Sequence, residues 1–524
     1  MKKAVKVMLG LTAAALVLAA GCSKPATASK STVKTIVYGT TDKVSDMDPA
    51  SAYDIHTWDV FQNIDKGLLA YTPGTTDIVP GLASTYDVNP AGDEFTFHLR
   101  PNLKFTDGTP LTASVVKWSI DRVVALGGDP SWLVSDFVKE VTAKDDLTVV
   151  FTLKQPCAFF PSLAATPTYF PVNPNDFPAD KIIKDISELK SGTLSGLGAY
   201  KLTSFKRDEE AIFEANPAFY GDKPDVSRIV IRYFADATTM RLAFEKGEID
   251  LVYKSLNPSD IKDLSAKSEF TTNRLSGPQI RYICFETSES LFKDKVLRQA
   301  IAALVNRPDI IQKVYLGQNS PLYSMVPNGM MYQTENFKTV FGDANVELAT
   351  KLLASKGYTA DKPLTFDFWY TPSHYGDTEV NMAEVLKANF DACPAVKVTL
   401  KSAEWATYKD NWNKKLMPAF LLGWYPDYVD PDNYTAAFAG TSGSAGMGIY
   451  FSDPEWDALF AKEQGSTDPA VRKQVFEKVQ AMWADEVMTV PIWQGDLFIF
   501  TKPSITGVKL GPTLIFNYDQ LKMN

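Results

Sequence analysis

The sequence predicts an α/β fold with more than one domain. Short segments that alternate apolar and polar residues, as half-buried strands do, occur between longer stretches whose apolar residues recur at helical spacing. Strands separated by helices favour α/β domains over a helical bundle or a β-sandwich. Because a single core stops growing near ~250–300 residues, a mature chain of roughly 500 residues is expected to form two or three domains.

The individual strands and helices are predicted from hydrophobic periodicity and from turn and cap residues. Strand patterns cover residues 35–38, 95–100, 147–153 and 228–234. Asp107-Gly108 marks a turn after the second of these, and Thr112 then begins a helix, because its hydroxyl can cap the free amides of the first turn. Helical spacing predicts a helix over 59–69, closed by Gly67, and later helices over 296–305, 346–355 and 471–483.

The N-terminus has the pattern of an export signal. Lys2, Lys3 and Lys6 precede an apolar run over 7–20, which is too short for a comfortable bilayer span and right for a secretory signal. The run ends in Leu-Ala-Ala-Gly-Cys, similar to a lipobox, with Ala19 where leucine is usual. We therefore expect a signal peptide over 1–21, a diacylglycerol on Cys22 and a polar, flexible tether over 22–32. The alternative is a plain signal peptide with an incidental Cys22.

Composition excludes some classes of function. Without the three signal-peptide lysines, 50 of the 53 basic residues remain against 62 acidic residues, which argues against nucleic-acid binding. Cys157, Cys284 and Cys393 are far apart and odd in number, so at most one disulfide can form among them. No other stretch is apolar enough to span a bilayer, so acyl chains on Cys22 would be the anchor.

The sequence carries no recognisable catalytic motif. His56, His98 and His374 are scattered, without the spacing of a zinc site, and we expect neither metal nor cofactor. The chain has no GxSxG elbow, no GxxxxGK[ST] loop and no GxGxxG after a strand. In an exported chain of this size, the absence of these motifs favours a binding function over catalysis.

A series of segments, in order along the chain, resembles one family. The segments are PGLA (80–83), FTFHLR (95–100), KFTDGTPLTA (104–113), GLGAYKL (196–202), NPAFYG (216–221), RLAFEKGEID (241–250), VLRQAI (296–301), LLASKGY (352–358) and LGWYPDYVDPDNY (422–434). Their order and spacing are similar to those of the extracytoplasmic solute-binding proteins of the peptide/nickel ABC-transporter family. Most of these segments are structural, such as the Asp107-Gly108 turn.

The resemblance implies a large, three-domain form of the type II periplasmic-binding-protein clamshell. Domain I would comprise 32–70, 196–278 and 496–524, an inserted domain II would cover 71–195, and domain III would cover 279–495. A monomer would capture a solute, most simply a peptide, between domains I and III. Hinge closure would then present it to the transmembrane subunits of the permease, on the periplasmic side or outer face of the cell membrane.

The resemblance also implies a ligand site in the last of these segments. In peptide-binding members, the acid that follows the Gly-Trp pair lies in the cleft and pairs with the α-ammonium of the peptide, and Asp427 occupies that position. Trp424, Tyr425 and Tyr428 would form apolar walls around it, with Trp493 and Tyr53 near the cleft. The alternative is that Asp427 caps a turn before Pro431 while the aromatic residues fill the core. We interpret Asp430 and Asp432 as turn residues.

One departure from the family pattern bears on the cargo. Dipeptide-binding members carry an arginine near residues 371–376, and this chain has none there to pair with a ligand carboxylate. A longer peptide, or a ligand without a carboxylate, therefore fits better than a dipeptide. His374 could contact the ligand, but we interpret it first as an exposed loop histidine. An oligosaccharide, an opine or a nickel chelate stays open as cargo, and a surface hydrolase or adhesin is the alternative from another class.

Overall fold

Helices and strands alternate along the chain in the computed structural model, which describes residues 33–189, 192–254, 256–372, 374–376 and 378–524. The strands are β1 Thr35–Thr40, β2 Leu69–Tyr71, β3 Ile78–Pro80, β4 Ala83–Val88, β5 Glu94–Leu99, β6 Val138–Ala143, β7 Thr148–Leu153, β8 Tyr200–Lys206, β9 Glu210–Ala215, β10 Arg228–Tyr233, β11 Leu251–Tyr253, β12 Thr271–Phe285, β13 Asn319–Pro321, β14 Leu364–Tyr370, β15 Val396–Ser402, β16 Ala419–Trp424, β17 Thr489–Thr501, β18 Ile505–Thr506 and β19 Lys522–Met523. The helices are α1 Ile55–Ile64, α2 Ala113–Leu126, α3 Trp132–Ser135, α4 Phe160–Ala164, α5 Ala237–Glu245, α6 Pro258–Ser265, α7 Lys295–Leu304, α8 Arg307–Tyr315, α9 Asn336–Val340, α10 Val346–Ser355, α11 Thr378–Asp391, α12 Trp405–Asn413, α13 Ala436–Ala439, α14 Thr441–Gly446, α15 Pro454–Gln464 and α16 Pro469–Glu486.

The α/β prediction is confirmed, and so are most of the predicted elements. The four strand patterns correspond to β1, β5, β7 and β10, and the three later helices to α7, α10 and α16. Thr112 is the N-cap of α2, and its hydroxyl accepts a hydrogen bond from the amide of Val115.

The predicted helix over 59–69 is wrong at both ends. Helix α1 begins at Ile55, because Asp54 caps it by accepting from the amide of Thr57 at 2.7 Å. It ends at Ile64, and residues 69–71 form strand β2 instead. Gly67 does not cap this helix: a side chain there would meet the ring of Phe170 at 2.7 Å, so the glycine permits close packing.

The largest sheet runs through most of the molecule. Its strand order is β15-β14-β16-β12-β17-β11-β1-β10-β9-β8, and the short strand β13 pairs with β17. The sheet is mixed: β1 is parallel to both of its neighbours, whereas β12 is antiparallel to both β16 and β17. The long strands β12 and β17 lie at the centre of this order and connect its two halves.

The pairing of β12 with β17 is interrupted near the middle. Register shifts between Ser276 and Ile280, where two more residues lie on β12 than on the facing stretch of β17. A side chain on Gly277 would lie 2.6 Å from the carbonyl oxygen of Gly495, so the two backbones approach closely at the bulge. An interruption of this kind bends a ladder and weakens its local pairing.

Two large hydrophobic cores lie on either side of this bulge. The first core is formed mainly by buried residues from 36–253 and 497–521, and the second core by buried residues from 280–493. A separate antiparallel sheet with the order β4-β5-β7-β6 contributes to the first core, and helix α2 packs on it. A small third cluster surrounds Phe244 and Phe500.

The three cysteines of the described chain are buried free thiols, so the possible disulfide among Cys157, Cys284 and Cys393 is absent. Cys22 and the predicted signal and tether over 1–32 lie outside the described residues. Among the residues that the structure describes, no helix is both long and apolar enough to cross a membrane.

Candidate functional site

A cavity of about 490 Å³ lies between residues of the two cores. This volume falls within the range of ~300–1,000 Å³ that is usual for ligand pockets. One side is formed by residues near α1 and β11, namely Asp42, Lys43, Tyr53, Asp54, Ile55, His56, Trp58 and Lys254. The other side is formed by residues between β14 and α13, namely His374, Tyr375, Gly423, Trp424, Tyr425 and Asp427.

Asp427 is a buried carboxylate in the cavity wall, three residues beyond the end of β16. The side chain of Asn433 holds this turn, because its Oδ1 accepts from the amide of Asp427 at 3.1 Å and from the indole N–H of Trp424 at 3.0 Å. Burial raises the pKa of Asp427 to about 6, although hydrogen bonds from Tyr53 and Asn433 favour its ionised form. These partners are neutral, so the carboxylate can still accept a cation.

Aromatic side chains flank this carboxylate on both sides of the cavity. Tyr53 packs on Trp58 with ring centroids 5.9 Å apart, and the indole N–H of Trp58 donates to the carbonyl of Ala52 at 2.9 Å. Tyr425 is more than one-third exposed, whereas Trp424 packs edge-on against Phe438 in the second core. The site therefore combines a buried acid with apolar walls.

The opposite wall carries a partly buried cation. The Nζ atom of Lys254 lies 3.0 Å from Oδ2 of Asp42 and 4.0 Å from Oδ2 of Asp59. Burial alone would lower the pKa of Lys254. The Coulombic attraction of Asp42 and of the other groups around Lys254 outweighs this effect, so the pKa stands well above its usual range. Lys254 also has a φ of 66°, a backbone conformation that is costly for a residue with a Cβ, so the surrounding fold imposes local backbone strain here.

A second cation, the fully buried Arg281 on β12, lies behind the cavity wall. Its Nε donates to Oε1 of Glu379 at 2.9 Å, and its guanidinium carbon lies 3.7 Å from the ring centroid of Tyr375. Gly423 faces it across the β12–β16 pair, and a Cβ on Gly423 would lie 1.8 Å from Nη1 of Arg281. The absence of a side chain at residue 423 therefore gives the guanidinium its space.

The structure brings four of the predicted site residues together at the cavity. These are Tyr53, Trp424, Tyr425 and Asp427. Trp493 lies behind the wall and is only 4 % exposed. The guanidinium carbon of Arg281 lies 5.2 Å from its ring centroid, and its indole N–H donates to Sδ of Met382.

Tyr428, like Trp493, is a predicted site residue that does not line the cavity. Its side chain points away from the cavity, and its ring stacks on Phe159 with centroids 4.9 Å apart and planes at 7°. Asp430 caps a short 3₁₀-helix over Pro431–Tyr434, as a turn residue would, but it also forms a buried ion pair with Arg472 at 2.6 Å.

Sequence reasoning missed the cationic residues of the site. We sought an arginine in residues 371–376, whereas Arg281 comes from a different strand and Lys254 from the end of β11. A charged residue inside the otherwise apolar run over 280–285 of β12 is a signal that could have indicated Arg281. His374 does line the cavity, stacked on Trp405 at 3.7 Å, and burial lowers its pKa to about 4. Among the described residues, no group of three or more His, Cys, Asp or Glu could hold a metal.

The comparisons with known proteins cover nearly the whole chain. The model of the bacterial extracellular solute-binding proteins, family 5 Middle, matches residues 77–446. Heme-binding protein A of Haemophilus influenzae is 27% identical over an alignment of 548 positions that covers 98% of each chain. The periplasmic oligopeptide-binding protein OppA of Salmonella typhimurium is 26% identical over 90% of this chain and 89% of its own. The dipeptide-binding protein of Pseudoalteromonas sp. SM9913, in complex with Met-Leu, superposes with a TM-score of 0.78 at 21% identity, over 94% of this chain and 100% of its own.

Proposed function

Because the chain belongs to the bacterial extracellular solute-binding proteins of family 5 and has the type II periplasmic-binding-protein fold, we propose that it captures oligopeptides and delivers them to the permease of an ABC importer. Its family consists of solute-binding proteins and not enzymes, so the cavity holds its ligand unchanged. Among the similar proteins, OppA of Salmonella typhimurium supports a peptide, whereas the Haemophilus influenzae protein is named for heme.

The observation that carries the peptide proposal is the buried Asp427 carboxylate, which forms no ion pair with any Lys, Arg or His side chain that the structure describes. Ionised carboxylates are costly to bury unless a positive group completes them. The α-ammonium of a peptide supplies such a group, and the aromatic rings of Tyr53, Trp424 and Tyr425 supply apolar contact for the residues that follow. In this proposal Asp427 fixes the N-terminus and the rest of the peptide extends across the cavity.

Lys254 gives the same cavity a cation for the other end of a peptide. The sequence argument against a dipeptide was the lack of an arginine near residues 371–376. Lys254, paired with Asp42, and the more exposed Lys43, paired with Asp208, line the wall that faces Asp427, so a ligand carboxylate can replace either partner. We therefore propose a short zwitterionic peptide, and the argument against a dipeptide loses its weight.

We also propose that the bulge at Ser276–Ile280 is part of the hinge. It lies between the two cores, at the expected boundaries of domain III near residues 278 and 495. A ligand that touches residues of both cores binds best when the two halves approach, which is how such a ligand shifts the population towards the closed form.

The test is a calorimetric binding series on Asp427→Ala and Lys254→Met with three versions of one short peptide: free, N-acetylated and C-amidated. We expect Asp427→Ala to cost about 2–5 kcal/mol for the free peptide, because the ammonium loses its partner. The N-acetylated peptide should bind the wild type weakly and be insensitive to this substitution. Lys254→Met should weaken the free peptide but not the amidated one.

The matched control is Asp361→Ala, which removes an exposed carboxylate that does not line the cavity and should leave each dissociation constant unchanged. Equal binding of free and N-acetylated peptides would contradict the role of Asp427. Oligosaccharides belong in the same series, because the three aromatic rings at the cavity also suit sugar stacking. Tight binding of a sugar, with no peptide bound, would replace the peptide by that cargo.

A further inference from the structure

Tyr428 connects the segment that carries Asp427 to the opposite half of the molecule. Of the buried hydrophobic residues described between 279 and 495, Tyr428 alone belongs to the first core; the others pack in the second core or outside both. Its ring is 2 % exposed and stacks on Phe159 in nearly parallel planes. The side chain therefore inserts from one half of the molecule into the other.

Few polar contacts accompany this insertion. The hydroxyl of Ser162 donates to the carbonyl of Val429 at 3.3 Å, and the amide of Ala158 donates to the carbonyl of Gln464 at 2.9 Å. Gln155 adds an exposed side-chain contact to Gln464. The contact between residues 155–162 and the Tyr428 segment is thus one stacked ring pair with a small number of hydrogen bonds, which suits an interface that forms and separates.

The Tyr428 segment is held firmly on its own side. The hydroxyl of Tyr428 donates to Oδ2 of Asp432 at 2.7 Å, and Nε2 of Gln464 donates to Oδ1 of the same carboxylate at 2.9 Å. Asp430 is paired with Arg472, which also contacts Glu463 at 2.8 Å. These bonds tie residues 428–432 to helices α15 and α16, so they move with the second core.

Asp427 is the residue next to Tyr428 in this segment. Any displacement of Tyr428 from the first core moves the Asp427 carboxylate away from Tyr53, Asp42 and Lys254 on the facing wall of the cavity. One movement of this segment therefore both inserts the ring of Tyr428 into the first core and brings Asp427 to the facing wall of the cavity.

We propose that Tyr428 is a positioning residue: its stacking on Phe159 stabilises the closed form and thereby places Asp427 in the assembled cavity. The inference rests on the proposed function in one respect, that the two halves open and close. Tyr428 itself touches no ligand. Separation of the halves removes its ring from the first core, so the contact favours closure whether or not a ligand is present.

The experiment compares Tyr428→Ala, Tyr428→Phe and Phe159→Leu with the wild type by small-angle X-ray scattering without ligand, with a thermal melt to confirm folding. Tyr428→Ala should raise the radius of gyration of the unliganded protein and weaken binding of the free peptide by at least tenfold. Tyr428→Phe keeps the ring and should recover most of the closed population. Phe159→Leu should shift the same quantities in the same direction, from the opposite side of the contact.

The double variant Tyr428→Ala with Phe159→Leu shows whether the two residues act through one contact. Its loss of closed population and of peptide affinity should be no larger than that of Tyr428→Ala alone, because that substitution already removes the stacking contact. A wild-type radius of gyration for folded Tyr428→Ala, or strictly additive losses in the double variant, would overturn the proposal. Scattering needs no ligand, so a failure of the peptide assignment, seen as no peptide binding by any variant, remains distinct from a failure of this one.

Discussion

Asp427 illustrates at the residue scale why a buried acid can serve as an anchor. Its raised pKa means that ionising this carboxyl without a cationic partner costs on the order of 3 kcal/mol more than in water. Asn433 and Tyr53 recover part of that cost, and an ammonium group recovers more because it adds an opposite charge at short range. Affinity at this site therefore depends on the charge of both partners.

This dependence predicts a pH profile for the binding of a free-amine peptide. Only the ionised carboxylate pairs with an ammonium, so about one-tenth of the protein is competent at pH 5 and about nine-tenths at pH 7 when the pKa is near 6. We expect the dissociation constant to fall roughly tenfold over that interval. Titration calorimetry at half-unit steps over roughly pH 4.5 to 7.5 measures it.

The stability of the unliganded protein should depend on the same group with the opposite sign. A carboxyl whose pKa is raised on folding contributes most below its unfolded value, and this contribution is lost as the pH rises through about 6. Asp427→Asn carries no titrating group, so both dependences should be absent from it. A tenfold pH slope that persists in Asp427→Asn would assign the titration to another residue.

At the element scale, the β12–β16 pair places Arg281 opposite Gly423, and this pairing can be tested by adding one methyl group. Gly423→Ala would bring a Cβ to 1.8 Å from Nη1 of Arg281, so the guanidinium has to move against Tyr375 and Glu379. We expect overpacking to lower the free energy of unfolding by about 1–3 kcal/mol and to weaken ligand binding, since Tyr375 lines the cavity. Urea denaturation and calorimetry measure the two effects.

Gly446→Ala is the matched control for that substitution. Gly446 is the last residue of α14, and a Cβ there has no neighbour within 4 Å. Alanine in a helix costs less conformational entropy than glycine, so the control should be neutral or stabilising by about 0.5–1 kcal/mol. Equal stability of Gly423→Ala and the wild type would show that the Arg281 side chain can adopt another conformation without cost.

The helices and strands themselves were largely predictable from the sequence, whereas the tertiary contacts between them were not. Thr112 and the apolar residues behind it predict α2 because a cap and a helical repeat act within a few residues of each other. Arg281 and Gly423 are neighbours because two strands pair across more than a hundred residues, and nothing local records that register. Tyr428 shows the same limit: its type suits a cavity wall, but tertiary packing inserts it into the first core.

At the scale of the whole molecule, one sheet joins two hydrophobic cores, and the candidate site lies where both contribute residues. The family segments predict the fold class because their order spans the chain. They could not predict the charges of the cavity, since Lys254 and Asp427 come from opposite sides of it and meet only when the chain is folded. Capture by such a site serves import only if the protein stays near its permease, which is the role that we propose for Cys22.

The lipid anchor is a prediction about where the whole protein resides. The apolar run over 7–20 is short for a span, so membrane affinity should depend on acyl chains at Cys22, each buried methylene of which contributes about 0.8 kcal/mol. Two chains suffice for stable anchoring, so Cys22→Ser should lose label from an alkyne fatty acid and move from the membrane to the soluble fraction. Ser23→Ala alters the adjacent tether residue but keeps the thiol, and it should remain labelled and membrane-bound. Full membrane retention of unlabelled Cys22→Ser would mean that another part of the chain, or a partner, holds the protein there.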